Sequence, residues 1–173
     1  SGVIDVNTQI QDTGYMDYYG TTFRCWLYRE SRTTHGLETV TDALRDSCNI
    51  FFYHVGIDVG IDTLTEYAQA FGLGVSTGIE LAESVGVNAG PAYSESVGAT
   101  WYGGNTLSAA IGQSDNLFTP LQLANYVATL VNGGTRYAAH LLQSVTDADG
   151  SVTPYEPQVL GTVEISAENL EAV

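Results

Sequence analysis

The chain has 173 residues and a mass of 18.5 kDa, the size of one domain or of a piece cut from a larger one. Hydrophobic residues at 44% and aromatics at 10% suffice for a core and exclude a wholly disordered chain. Twenty acidic residues against five arginines and no lysine give a formal charge of −15, so there is no basic stripe for a nucleic-acid backbone. The absence of lysine also excludes Schiff-base chemistry, Walker-type phosphate loops and any Ser-Lys dyad within these residues.

No apolar run is long enough to span a membrane, and residues 1–20 lack a basic-then-apolar leader. The start at Ser1-Gly2, with no initiator Met, is read as that of an excised segment. Residues 1–24 read as extended, with strand character around Thr21–Arg24, and residues 25–36 as a polar loop. From Leu37, apolar residues at Leu37, Val40, Ala43 and Leu44 follow a helical period, with Thr39 or Thr41 able to cap. Ser47-Cys48-Asn49 interrupts that helix before a second apolar stretch, Ile50 to Val59. Asp62 is the expected N-cap of a third helix that ends at Gly72 and Gly74.

Residues 75–110 are rich in glycine and read as loop. Thr119 then Pro120 open the strongest helical pattern, which Gly133-Gly134 stops. Asp149-Gly150 marks a hairpin, and Ser166 caps a last helix, AENLEAV. The pattern is α+β in one domain, without regular βαβ alternation.

Ser47-x-Asn49, at a helix break, is the first place where chemistry could sit. A hydroxyl and an amide two residues apart can share one cleft, one relaying a proton and the other holding a carbonyl. Alone the tripeptide is weak, and helix capping explains it as readily. Its surroundings add more. His35-Gly36, Ala43-Leu44, Ser47-Cys48-Asn49, Phe51-Phe52-Tyr53, Gly60, Ala68, Phe71-Gly72-Leu73-Gly74 and Thr77-Gly78-Ile79 follow one another in order. Ala110-Ile111-Gly112-Gln113, Thr119 to Ala124 and Asn132-Gly133-Gly134 continue the series. Over residues 23–140 this resembles the transpeptidase domain of class B penicillin-binding proteins.

The resemblance implies a penicillin-binding protein/β-lactamase-like α+β fold, incomplete here, holding the helical part and a portion of the antiparallel sheet. It implies D,D-transpeptidation of peptidoglycan stem peptides by serine acyl transfer, inhibition by β-lactams, no metal or cofactor, and a place outside the cytoplasmic membrane. Of the family's three motifs, Ser-x-x-Lys, Ser-x-Asn and Lys-Thr-Gly, only the middle one is present. By resemblance, Ser47 relays a proton as a catalytic residue, while Asn49 holds the lysine and the substrate carbonyl. Residues 1–173 are therefore read as an internal segment of one transpeptidase domain. The nucleophile motif would lie upstream with a membrane anchor, and the Lys-Thr-Gly strand downstream. Alone, the segment is expected to be inactive and open to self-association through cut strand edges.

Three departures from the family pattern stand out. Ser114 replaces a usual glycine, the run Leu81-Ala82-Glu83 is tight by one residue, and Ala138-Ala139 stands where proline is common. Two rival readings remain: a non-catalytic scaffold or β-lactam sensor of the same family, and an acidic binding module whose Ser-x-Asn is only a cap. The spacings of His35, His54, His140, Cys25 and Cys48 match no zinc pattern, so no metal is expected. Cys48 reads as a small buried thiol, a Cys25–Cys48 disulfide stays open, and His54 reads as a packed, hydrogen-bonded core histidine. Tyr15, Tyr18 and Tyr19 form either a binding surface or a packed edge.

Overall fold

A computed structural model describes residues 2–172. They form two compact units, one of residues 2–67, 89–116 and 171–172 and the other of residues 68–88 and 117–170.

The first unit opens with three strands, β1 (Ile10–Asp12), β2 (Tyr15–Tyr18) and β3 (Thr21–Arg24). β2 and β3 pair antiparallel around Tyr19-Gly20, both at positive φ, the turn that matches strand twist. A short helix, α1 (Trp26–Ser31), then forms where the polar composition had suggested only loop. Strand β4 (Gly36–Glu38) pairs antiparallel with β1 and takes Leu37 out of the helix expected to start there. Helix α2 (Val40–Asp46) begins one residue after Thr39, whose hydroxyl accepts the Asp42 N–H while the Asp42 carboxylate accepts the Thr39 N–H.

Helix α3 (Asn49–Val59) follows directly, and α4 (Ile61–Ala70) starts just before Asp62, which sits in its first turn and not at its cap. Two helices lie in the stretch read as loop: α5 (Pro91–Ser96) and α6 (Gly103–Ala110). Pro91 suits the first helical position, but α6 opens on two glycines, so its propensity is low and packing must hold it.

That packing is close. Gly56 lets α3 approach α6, since a Cβ there would lie 2.4 Å from the Ala110 Cβ. The core of this unit gathers Cys25, Ala43, Cys48, Ile50, Phe51, Tyr53 and Leu107. α3 supplies three of these, so the helix that begins at Asn49 is also the centre of the core.

The second unit holds α7 (Pro120–Val131), β5 (Thr135–Tyr137), the hairpin of β6 (Ser144–Thr146) and β7 (Val152–Pro154), and β8 (Val159–Thr162). β5 pairs antiparallel with β8. Thr119 caps α7 as the sequence indicates, and Gln122 completes the box through Oε1 while its fully buried Nε2 donates to the carbonyls of Val75 and Val85. Ala138 and Ala139 both donate backbone N–H groups, to Gln158 and Thr77, bonds a proline could not make. Ser166 accepts the Asn169 N–H and caps α8 (Ala167–Ala172); Val173, part of the expected helix, lies outside the described residues.

Candidate functional site

Ser47 stands at the junction of α2 and α3 with φ 55° and ψ 43°, a left-handed conformation that closes α2. Its N–H bonds back to Leu44, but its hydroxyl has no hydrogen-bond partner among the described residues. The hydroxyl therefore caps neither helix, while the backbone of Ser47 forms the C-cap of α2. The residue before α3 is Cys48, and no side chain caps that helix.

Asn49, the first residue of α3, is held in place. Its Oδ1 accepts the backbone N–H of Trp26 at 2.9 Å, which satisfies one of the free donors at the start of α1. The Trp26 indole N–H donates to the Asp46 carbonyl at 3.1 Å. One residue thus clamps both sides of Ser47 and leaves the Asn49 amide donors unpartnered among the described residues. Sequence reasoning missed this positioning role; the only signal was a tryptophan in an otherwise polar stretch.

A cleft of about 340 Å³ opens beside Ser47 and Asn49, walled by Leu44, Phe52, Ala110 and Ile111. A hydroxyl and an amide thus converge on one apolar-walled space, as relay and carbonyl-holding roles require. Within the first unit the Ala110-Ile111 block reaches the Ser-x-Asn block, two stretches far apart in sequence.

Behind the motif lies a second cluster. Asp12, Cys25, His35 and Cys48 bring their ligand atoms within 4.8 Å of one another. Asp12, Cys25 and Cys48 are almost fully buried and both thiols are free. The His35 Nδ1 lies 2.8 Å from Asp12 Oδ2 and 3.6 Å from Cys25 Sγ. Burial raises the Asp12 carboxyl, yet the backbone N–H groups of His35 and Gly14 and the His35 ring outweigh it and hold it below its ordinary range. Burial pushes the Cys48 thiol far up, with Glu38 adding to the effect. Burial also raises Glu38, whose Oε2 is without a hydrogen-bond partner among the described residues.

Two thiols, an imidazole and a carboxylate are the donors and the number that a closed tetrahedral zinc site uses. The residues present fit such an ion. The expectation of no metal came from spacing along the chain, which does not reach this arrangement, because the four donors come from four separate places: the end of β1, the residue before α1, the residue before β4 and the residue before α3. His54 and His140 take no part. His54 is half-buried without a ring hydrogen bond among the described residues, unlike the bonded core histidine expected, while His140 stacks on Tyr155.

The departure at Ser114 also has a geometric reading. Its φ of 64° is the left-handed conformation that glycine adopts freely. Glu83, in the tight run, turns its carboxylate onto Ser76 Oγ and onto the N–H and hydroxyl of Thr77, closing the loop before Gly78.

Comparison with known proteins decides the family. The profile described as penicillin binding protein transpeptidase domain matches residues 1–173. The chain belongs to the penicillin-binding protein transpeptidase family. It is 37% identical over 166 residues to the peptidoglycan D,D-transpeptidase MrdA of Escherichia coli K12, covering 92% of this chain and 26% of that protein. The chain thus spans about a quarter of the length of this curated relative. Among solved structures, Pseudomonas aeruginosa PBP2 in complex with WCK 5153 aligns with a TM-score of 0.82 at 25% identity, over 99% of this chain and 38% of that one. A complex between PBP2 and MreC from Helicobacter pylori aligns at 0.76 and 26% identity, over 98% of this chain and 29% of that one. The α+β fold read from the sequence is therefore that of a transpeptidase domain, here a part of it.

Proposed function

We propose that this chain is the central part of a peptidoglycan D,D-transpeptidase that cross-links stem peptides by serine acyl transfer and is acylated by β-lactams. The observation that carries this reading is Ser47. Its hydroxyl has no structural bond, sits on a left-handed hinge, and borders the same cleft as Asn49. The backbone conformation closes α2, but the hydroxyl holds nothing among the described residues, which leaves it available for chemistry.

In this proposal the nucleophilic serine and its lysine lie on a segment preceding these residues, and a Lys-Thr-Gly strand follows them. Ser47 passes a proton between that lysine and the leaving or incoming amine. Asn49 donates through its free amide to the substrate carbonyl, while its Oδ1, which accepts the Trp26 N–H, keeps a second lone pair for that lysine. Asp12, Cys25, His35 and Cys48 would hold a zinc ion whose closed coordination suits a structural role, bracing the motif through Cys48. The intact protein works at the extracytoplasmic face of the bacterial membrane, anchored by a part outside these residues. No described helix is long and apolar enough to cross a membrane.

Labelling with a fluorescent penicillin tests the reading, on this chain and on the full-length protein side by side. Only the full-length protein should be labelled. Absence of label on both would replace the enzyme with a non-catalytic scaffold, and label on the chain alone would mean that the nucleophile lies within it.

A further inference from the structure

The tyrosine cluster near the N-terminus has no part in the site described above. Tyr18 and Tyr19 meet edge to face at 4.7 Å between ring centroids, at the tip of the β2–β3 hairpin. Tyr19 holds φ 46° and is 80% exposed. A bulky aromatic in that conformation is uncommon, because the turn is best served by Asn, Asp or Gly. Its ring lies over the start of α6, where a Cβ on Gly103 would come within 2.5 Å of it. Gly104 gives the same room to Phe23, at 2.8 Å. Tyr102, 67% exposed, lines the same pocket.

Between hairpin and helix lies a pocket of about 470 Å³, the size range of a small-molecule site. Its polar side chains are Thr21, Asn105 and Ser108, besides the tyrosine hydroxyls, and none is hydrogen-bonded within the described residues. No charged side chain lines it, in a chain whose formal charge is −15.

These features select a ligand by chemistry. An anion would find no cation here, and a cation no carboxylate. A purely aliphatic ligand would strand Asn105, Ser108 and Thr21 without partners, which is costly once water is expelled. A sugar ring meets both demands, with an apolar face for a tyrosine ring and neutral hydroxyl and acetamido groups for Asn105, Ser108 and Thr21. We infer that the Tyr18–Tyr19/Tyr102 pocket binds an uncharged N-acetylated sugar of the glycan strand whose stem peptides the enzyme joins. The choice of strand rests on the proposed transpeptidase function; the saccharide chemistry rests on the pocket.

The test uses the full-length protein and a tetramer of β-1,4-linked N-acetylglucosamine, which carries no stem peptide, titrated by calorimetry. Saturable binding is expected. Tyr19→Gly should weaken it about tenfold, the effect of losing one stacked aromatic at the upper end of such contacts. Glycine accepts the positive φ, so this variant keeps the turn. Tyr102→Ala should weaken binding similarly, and penicillin acylation should be unchanged in both. No binding by the wild type, or binding that neither variant weakens, overturns the inference. So does displacement of the tetramer by a sugar-free stem peptide. Sugar binding in a protein that fails to take up penicillin would sink the transpeptidase reading while supporting the pocket.

Discussion

Replacing Ser47 separates relay from cap, because glycine and alanine affect its backbone differently. A non-glycine residue in the left-handed region costs about 1–2 kcal/mol, while glycine adds about 0.5–1 kcal/mol of unfolded-state entropy to be lost on folding. The hydroxyl makes no bond that either substitution could break. Ser47→Gly should therefore stabilise the full-length protein by roughly 0.5–1 kcal/mol, a rise in Tm of at most about 1–4 °C. Ser47→Ala keeps the left-handed strain and should change stability by less than about 0.5 kcal/mol. A capping hydroxyl would instead make Ser47→Ala cost about 1 kcal/mol. Both variants should lose about 10²- to 10⁴-fold in acylation rate, the usual contribution of a positioned proton relay. Urea midpoints and fluorescent-penicillin kinetics on the same preparations read the two effects. Normal acylation by Ser47→Gly would refute the relay, and a loss of about 1 kcal/mol in Ser47→Ala would restore the cap.

Three further outcomes are expected. Gly56→Ala should destabilise the protein by about 1–3 kcal/mol through overpacking, because its Cβ would meet that of Ala110 at 2.4 Å; Ala110→Gly in the same chain should recover most of this in denaturant melts. Glu83 is held below its ordinary range, first by the Ser76 hydroxyl and then by Thr77, with burial opposing. A depressed folded pKa adds stability above the unfolded value of about 4.5, lost as pH falls through the folded one. The stability gap between wild type and Glu83→Gln should accordingly close on acidification below the glutamate range, and a gap independent of pH would count against it. Elemental analysis should find about one zinc per chain, and His35→Ala or Cys25→Ser should lower both that content and the melting temperature; a metal-free protein of unchanged stability would exclude the ion.

Part of the candidate site is legible in residue order alone. A helical period stops and restarts around Ser47 and Asn49, and Thr119 and Ser166 declare helix starts through local capping chemistry, whereas the sequence leaves Thr39 and Thr41 as equal caps for a helix read from Leu37 and the structure selects Thr39. Such signals act over three or four residues, so one chain suffices to show them. The two helices within residues 75–110 left little trace. Gly103 and Gly104 weaken α6 locally, and its contacts with α3 through Gly56 supply what propensity lacks.

The sequence by itself determined the α+β pattern, the order of the family blocks and the acidic surplus. Tertiary structure decided which side chains meet. Trp26 reaches Asn49 and Asp46 across about twenty residues, and Asp12, Cys25, His35 and Cys48 converge from four separate stretches of chain. No spacing rule written along the chain encodes such contacts, because they depend on how β1, α1, β4 and the α2–α3 hinge pack together. The left-handed backbone at Ser47 belongs to the same class. Serine has no preference for it, and it persists because the core beneath, from Cys48 to Tyr53, over-determines the turn.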